Sequence, residues 1–286
     1  MENERNKYLK VIKDVRSLPT IPGIIVKVLS LLDDNETSFR KISRLISSDQ
    51  TLSARVLRLA NSPFYGFPSR VSTIPSAMVM LGANAIKGLV LTSILFEMTE
   101  KNALGFWEHG LGSATAANII TKRLNVAKAE EISTAALLHD IGRVIIKAKL
   151  GDRYEILLSH ASDKKISIME AETEMLEMDH AAIGGWAARV WELPEALCEP
   201  IACHHDVEGS KTHRTETAIV HLADILIKTS GFGFTGDDFV PPIHPAAWNI
   251  LNLSEPFLEE IAEELGDKLV EVADFSQEVQ SAENSH

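Results

Sequence analysis

The chain is poor in three things. It has two cysteines in 286 residues, Cys198 and Cys203, which excludes a disulfide-stapled secreted scaffold. On one helix, positions five apart are separated by about 7.5 Å of axial rise, too far to bridge, so both read as core thiols in a reducing compartment. Aromatic residues make up 6% and tyrosine only three positions, and no run of alternating β-branched and aromatic residues suggests a strand. The third shortage is of uninterrupted apolar sequence. The longest candidate, "AMVMLGANAIKGLVLTSILFEM", is broken by Gly82, Asn84, Lys87 and Gly88, so two buried helices explain it better than a membrane span. The opening residues "MENERNKYLK" are polar and mixed in charge, unlike a secretory signal, so a cytoplasmic location is expected.

What is present is helical. Apolar residues recur at helical spacing, as in Ile24, Ile25, Val28, Leu29 and Leu32, which predicts an all-α protein of about a dozen helices. Pro22 suits a helix start, Asp49 suits a cap for "QTLSARVLRLAN" and Asp179 for "HAAIGGWAARVWEL", while Pro194 and Pro200 punctuate the next stretch of chain. "GFGFTGDDFVPP" (231–242) reads as a loop, and "SQEVQSAENSH" at the end as a frayed tail.

Charge is segregated. The net formal charge is −12, yet residues 1–100 carry 13 Lys and Arg against 9 acids, and residues 101–286 carry 15 against 31. A division is therefore expected near "MTEKNALGF" (98–106), with 1–100 an N-terminal helical subdomain and 101–286 a second helical subdomain ending in a C-terminal helix and tail. An acidic surface repels nucleic acid unless charge is segregated. Arg40, Lys41, Arg44, Arg55 and Arg58 in "SFRKISRLISSDQTLSARVLRLAN" resemble the basic face of two helices around a short turn, a nucleic-acid reading weighed against the favoured one of a solvated amphipathic surface. In "NSPFYGFPSR", Phe64, Tyr65 and Phe67 form an aromatic group beside Arg70, for which packing within the chain is favoured over display to a partner.

The chemistry lies in the acidic half. His139 and Asp140 sit side by side inside the apolar run "STAALLHDIGRVII", followed by His180, the pair His204 and His205, and Asp224 in "IVHLADILIK". A carboxylate in an apolar helix is costly unless paired or bound to a cation, and imidazole with carboxylate is a ligand mix for Zn, Fe, Mn or Ni. Adjacent residues of one helix project about 100° apart, so His139 and Asp140 would not chelate one ion as a parallel pair, but Asp140 could bridge two ions with His139 on one of them. A dinuclear divalent-metal site is the expectation, with ligands gathered from helices distant in sequence. Arg143 shares the helical face of His139 and Asp140, where it would grip a phosphate or pair with a nearby acid. His221, three before Asp224, is read as a supporting residue, and His160, His213, His244 and His286 as exposed or in loops.

These segments resemble the HD superfamily of metal-dependent phosphohydrolases, and more closely its HDOD branch, over roughly residues 15 to 230. "LPTIPGIIVKVLSLL", "ISSDQTLSARVLRLANSPFYG" and "TIPSAMVMLGANAIKGLVL" look like the HDOD helical preamble, and "FWEHGLGSATAA", "AALLHDIGRVII", "MDHAAIGGWAARVWELP" and "IACHH" come after it in the family's order. The resemblance implies an HD-domain-like helical bundle and a metal-ligand set of His109, His139, Asp140, His180, His204, His205 and Asp224. It is as full as that of the HD-GYP cyclic-di-GMP phosphodiesterases. Here, however, the paired histidines are followed by "DVEGSKTHRTE" rather than a Gly-Tyr-Pro loop, and Arg143 replaces a lysine, so the resemblance does not extend to activity on cyclic-di-GMP. Beside the nucleic-acid reading of the basic N-terminal part, two functions stay open. One is a regulatory, signal-transduction protein that keeps its metal site and binds a signalling partner or a ligand. The other is a metal-dependent phosphohydrolase acting on a phosphorylated small molecule such as a nucleotide, in which Asp140 bridges two metals, Arg143 steadies negative charge and Asp224 orients the attacking water.

Overall fold

The computed structural model describes residues 28, 39–98, 104–233, 236 and 239–283. Every regular element among them is helical: α1 (Phe39–Ser47), α2 (Gln50–Ala60), α3 (Ile74–Met98), α4 (Leu104–Arg123), α5 (Ala129–Leu138), α6 (Ile141–Leu150), α7 (Tyr154–Lys164), α8 (Ile168–Leu176), α9 (His180–Val190), α10 (Glu195–Cys203), α11 (Arg214–Ser230), α12 (Pro245–Ile250) and α13 (Glu255–Glu283). The all-α expectation holds. Apart from Val28, the preamble through residue 38, with Pro22 in it, the seam at 99–103 and His286 lie outside the described residues.

Caps fall where side-chain chemistry allows them. Asp49 accepts from the backbone N–H of Leu52 at 2.9 Å and starts α2, and Asp179 accepts from that of Ala182 at 2.7 Å and starts α9. At α8 the Ser167 hydroxyl and the Glu170 carboxylate close a reciprocal capping box. Two expectations need correction. Pro200 does not interrupt the chain but sits inside α10, where burial of Leu197, Cys198 and Ile201 holds the helix together. The supposed tail from residue 276 instead continues α13 to Glu283, because buried Ile261, Leu265 and Val272 anchor a helix whose remaining residues are good helix formers.

α3 is by length and composition apolar enough, over Ile74–Thr92, to cross a membrane. It is nevertheless a broken core element: Gly82 takes φ 79° and ψ 168°, and Ala77, Met78, Ala85, Ile86, Leu89 and Val90 are buried. The aromatic loop after α2 also packs inward. Phe64 and Tyr65 are buried, and the Tyr65 hydroxyl bonds to Thr134 Oγ1 of α5 at 2.9 Å. A second tie runs from Lys87 of α3, whose ammonium donates to the Glu192 carbonyl just beyond α9. Both ties end beside helices that carry the histidine and aspartate residues.

Those residues come together where α4, α5, α6, α9, α10 and α11 meet. α4 packs on α5 and α11, α9 on α6 and α10, and α10 on α5 and α11. α6 and α9 approach closely enough that Gly142 faces the His180 carbonyl with no room for a side chain. Cys198 is buried, its thiol pushed up to about 12 by burial, and Cys203 is half-buried, so only the first is a core thiol as expected.

Candidate metal centre

Most of the site residues stand at helix ends. His109 projects from α4 and Asp224 from the middle of α11; His139 closes α5, Asp140 precedes α6, His180 opens α9, and His204 and His205 come just after α10. The geometric objection to His139 and Asp140 sharing one ion assumed a continuous helix. The chain breaks there, with Asp140 at φ −90° and ψ 12°, and both side chains turn into the same pocket.

The seven residues form one connected cluster. His109 Nε2 lies 2.9 Å from Asp224 Oδ1 and 3.3 Å from His139 Nε2, and His139 Nε2 lies 3.4 Å from Asp224 Oδ1. On the other side, His180 Nε2 lies 2.8 Å from His205 Nε2 and 3.2 Å from Asp140 Oδ1, while His204 Nε2 is 3.7 Å from that oxygen. Asp140 stands between, its Oδ2 3.6 Å from His139 Nε2 and 3.9 Å from His109 Nε2. Three groups could each hold a cation, with ligand atoms within 4.8 Å of one another: His109, His139 and Asp224; His139, Asp140 and His204; and His180, His204 and His205.

The hydrogen bonds behind the rings test whether a metal fits. Nδ1 of His139 faces the Ala136 carbonyl at 2.6 Å, Nδ1 of His204 the Ile201 carbonyl at 2.8 Å, and Nδ1 of His180 the Glu172 carboxylate at 2.5 Å. These partners only accept, so each Nδ1 carries a proton, and in the neutral form that binds a metal each ring turns an Nε2 lone pair inward. Lone pairs then converge with two carboxylates at short range, an arrangement that repels itself until a cation fills it. His204 Nε2 and both oxygens of Asp140 are buried and have no hydrogen-bond partner. The donor set therefore fits a divalent cation bound by imidazole and carboxylate.

Electrostatics point the same way. Burial alone would raise the Asp140 carboxyl, but Arg143, His139 and His180 outweigh it and hold it well below the carboxylate range. Asp224 behaves likewise: burial is overcome by Lys228, His109 and His139. Burial pushes His204 and His205 well down, helped by neighbouring imidazoles, and also lowers His109 despite Asp224. For His139, burial is overcome by Asp140 and Asp224; for His180, burial and Arg143 are overcome by Glu172 and Asp140, so both sit above the ordinary value.

Arg143 is 1% exposed, with Nε 3.3 Å from Asp140 Oδ1. His221 supports the site from behind: its Nδ1 donates to the His204 carbonyl at 2.6 Å, and its Nε2 accepts from the His244 backbone at 2.8 Å. His244 caps α12, His160 pairs with Glu174 and His213 with Glu216, all apart from the cluster. Three supporting residues escaped sequence reading. Glu172 backs His180; Lys228 donates to Asp224 Oδ2 at 2.9 Å; and Glu199 accepts from Ser210, Thr212 and the backbone of residues 211–213, fixing the loop after His205. Of these only Lys228, four residues after Asp224, had a readable spacing.

The family model for the HDOD domain matches residues 18–207, so Asp224 enters the site by geometry rather than by the matched stretch. An uncharacterized protein of Treponema pallidum (strain Nichols) is 22% identical over 234 residues, 80% of this chain but 46% of its own length, so the chain spans less than half of that relative. A solved HDOD domain protein of unknown function from Geobacter sulfurreducens is similar at 28% identity and a TM-score of 0.72, over 96% of this chain and 98% of its own. A protein from Shewanella amazonensis SB2B, provisionally assigned as a phosphohydrolase, is 26% identical with a TM-score of 0.67, over 93% of this chain and 97% of its own. The match over residues 18–207 and the helical architecture shared with the solved HDOD protein agree: the chain belongs to the HDOD domain family of the HD superfamily.

Proposed function

We propose that this chain is a regulatory, signal-transducing HDOD protein that holds two divalent cations, one on each side of Asp140, and passes the state of that centre to a signalling partner or ligand. The observation that carries the reading is the tautomer pattern: three rings with their Nδ1 protons tied to outside acceptors aim lone pairs at two carboxylates. Two cations rather than one are favoured because Asp140 Oδ1 faces His180 and His204, while Oδ2 faces His109 and His139. A regulatory role is favoured by closure, since His109, His139, Asp140, His180, His204 and Asp224 are all buried and only His205 is half-exposed. The Tyr65–Thr134 and Lys87–Glu192 ties give an N-terminal subdomain, residues 1–100, a mechanical route to α5 and α9.

In this centre His109, His139 and Asp224 would hold one cation, His180, His204 and His205 the other, with Asp140 shared. Bound divalent metal there, Fe, Mn, Ni or Zn, supplies Lewis acidity toward a phosphoryl oxygen and makes water more acidic. Arg143 holds the Asp140 carboxylate in its orientation, and Lys228 restrains Asp224 so that Oδ1 faces the cluster. A second reading, phosphohydrolysis of a nucleotide or similar phosphoester, is supported by the full ligand set and by half-exposed His205, which opens one side of the pocket to a small anionic substrate. In it Asp140, Arg143 and Asp224 act on the reacting centre, Asp224 orienting the water and Arg143 offsetting charge through its buried guanidinium.

The test is metal analysis of the purified protein and of Asp140→Ala, followed by a phosphatase and phosphodiesterase screen with Mn or Fe. Metal in the parent, none in the variant and no turnover supports the regulatory reading. Turnover lost in the variant supports the hydrolase. A parent that neither contains nor takes up metal overturns both.

A further inference from the structure

The two ends of the cluster are built with different charge. His109 and His139 share their end with Asp224, a carboxylate. The group of His180, His204 and His205 has imidazoles only. Behind the rings the asymmetry reverses: His139 and His204 rest their Nδ1 protons on neutral carbonyls, whereas His180 alone rests its proton on a carboxylate, that of Glu172.

Glu172 is fully buried in α8, eight residues before His180. The start of α8 is held by the Ser167–Glu170 capping box, and the chain turns through Glu177, at φ 61°, before Asp179 caps α9. This path brings Glu172 Oε2 to both N–H groups of His180, 2.8 Å from the backbone nitrogen and 2.5 Å from Nδ1. One oxygen thereby fixes the first residue of α9 and the rotation and tautomer of its ring, and a carboxylate at a helix N-terminus is also favoured by the helix dipole. Its other oxygen, Oε1, is buried with no hydrogen-bond partner. A carboxylate left half-satisfied away from water is costly unless positive charge lies close by.

We infer that Glu172 is a positioning residue that adds negative charge behind the end of the centre whose one carboxylate is the shared Asp140, setting the cation affinity of His180, His204 and His205 through His180. This rests on the metal-binding reading above. Carboxylate partners of ligating histidines raise ligand basicity, and their loss costs about 10- to 100-fold in metal affinity.

The experiment is calorimetric titration with Mn²⁺ of the parent chain, Glu172→Gln, His180→Ala and the double variant, together with ¹⁵N NMR of the histidine side chains in the metal-free parent. Glu172→Gln should weaken the tighter or the looser of the two binding steps by about 10- to 100-fold and leave the other unchanged. In the His180→Ala background the same change should have no further effect, since Glu172 acts through His180. The metal-free parent should show His180 as the Nδ1–H tautomer with a strongly downfield proton, a result that needs no variant to fold. Parent-like titration by Glu172→Gln, equal further weakening in the double variant, or an Nε2–H tautomer for His180 each overturns the inference. A parent that binds no Mn²⁺ instead sinks the underlying metal reading, while the tautomer measurement still decides whether Glu172 orients His180.

Discussion

Replacing Gly142 by alanine should force apart the two helices that carry Asp140 and His180. A Cβ built on Gly142 lies 1.9 Å from the His180 carbonyl oxygen, 2.7 Å from its carbon and 2.9 Å from the Gly184 nitrogen, where real Cβ contacts stay above 3.0 Å. All three obstacles are backbone, so no flexible side-chain end can yield, and α6 and α9 must part by about 1 Å in a close-packed interior. Overpacking of this kind costs about 1–3 kcal/mol, more than the gain of roughly 1 kcal/mol from removing a helical glycine. Asp140 Oδ1 and His180 Nε2, now 3.2 Å apart, would separate with the helices. Displacements on this scale loosen ligand geometry, so Mn²⁺ affinity should fall about tenfold or more. The assay is urea denaturation beside calorimetric metal titration. Gly266→Ala in α13 is the control, since nothing lies within 4 Å of its Cβ. It should gain roughly 0.5–1 kcal/mol and bind metal as the parent does. A Gly142→Ala protein matching the parent in both urea midpoint and metal affinity would refute the close-approach reasoning.

Other consequences are equally direct. Burial tends to raise the Glu199 carboxyl, but Thr212, His213 and Ser210 outweigh it and lower it from 4.5 to about 2. A depressed folded-state value means this stabilisation is present above about pH 4.5 and is lost as pH falls toward 2. Acid titration of urea stability should show that slope in the parent and less of it in Glu199→Gln; equal slopes would remove Glu199 from the account. Asp49→Ala should cost about 1 kcal/mol of stability in urea by uncapping α2, and an unchanged midpoint would show that the cap carries no weight. Arg40, Lys41 and Arg44 are exposed on α1, but Arg55 and Arg58 are half-buried in α2, so the basic residues do not form one open face. No DNA shift is expected at about 50 mM salt, and a complex that weakens steeply as salt rises would contradict this.

Much of this architecture is local, and so was open to reading from sequence. Helical periodicity gives the all-α class, and Asp49 and Asp179 cap within three residues of themselves. The residue types at His139, Asp140, His180, His204, His205 and Asp224 mark an unusual load of ligand chemistry in apolar helices. The end of α13 is not legible in sequence, because polar helix formers look like a frayed tail until buried Ile261, Leu265 and Val272 show what anchors them.

By itself, then, the sequence determined helix, cap and ligand type, because those depend on neighbours within a turn or two. Only the tertiary structure decided that His139 and Asp140 face one pocket, since that results from a chain break at Asp140 and from α6 lying against α9 at Gly142. It also decided which ordinary acid backs which ring. Glu172 reaches His180 across an interhelix turn, a contact made by packing and marked by no spacing along the chain.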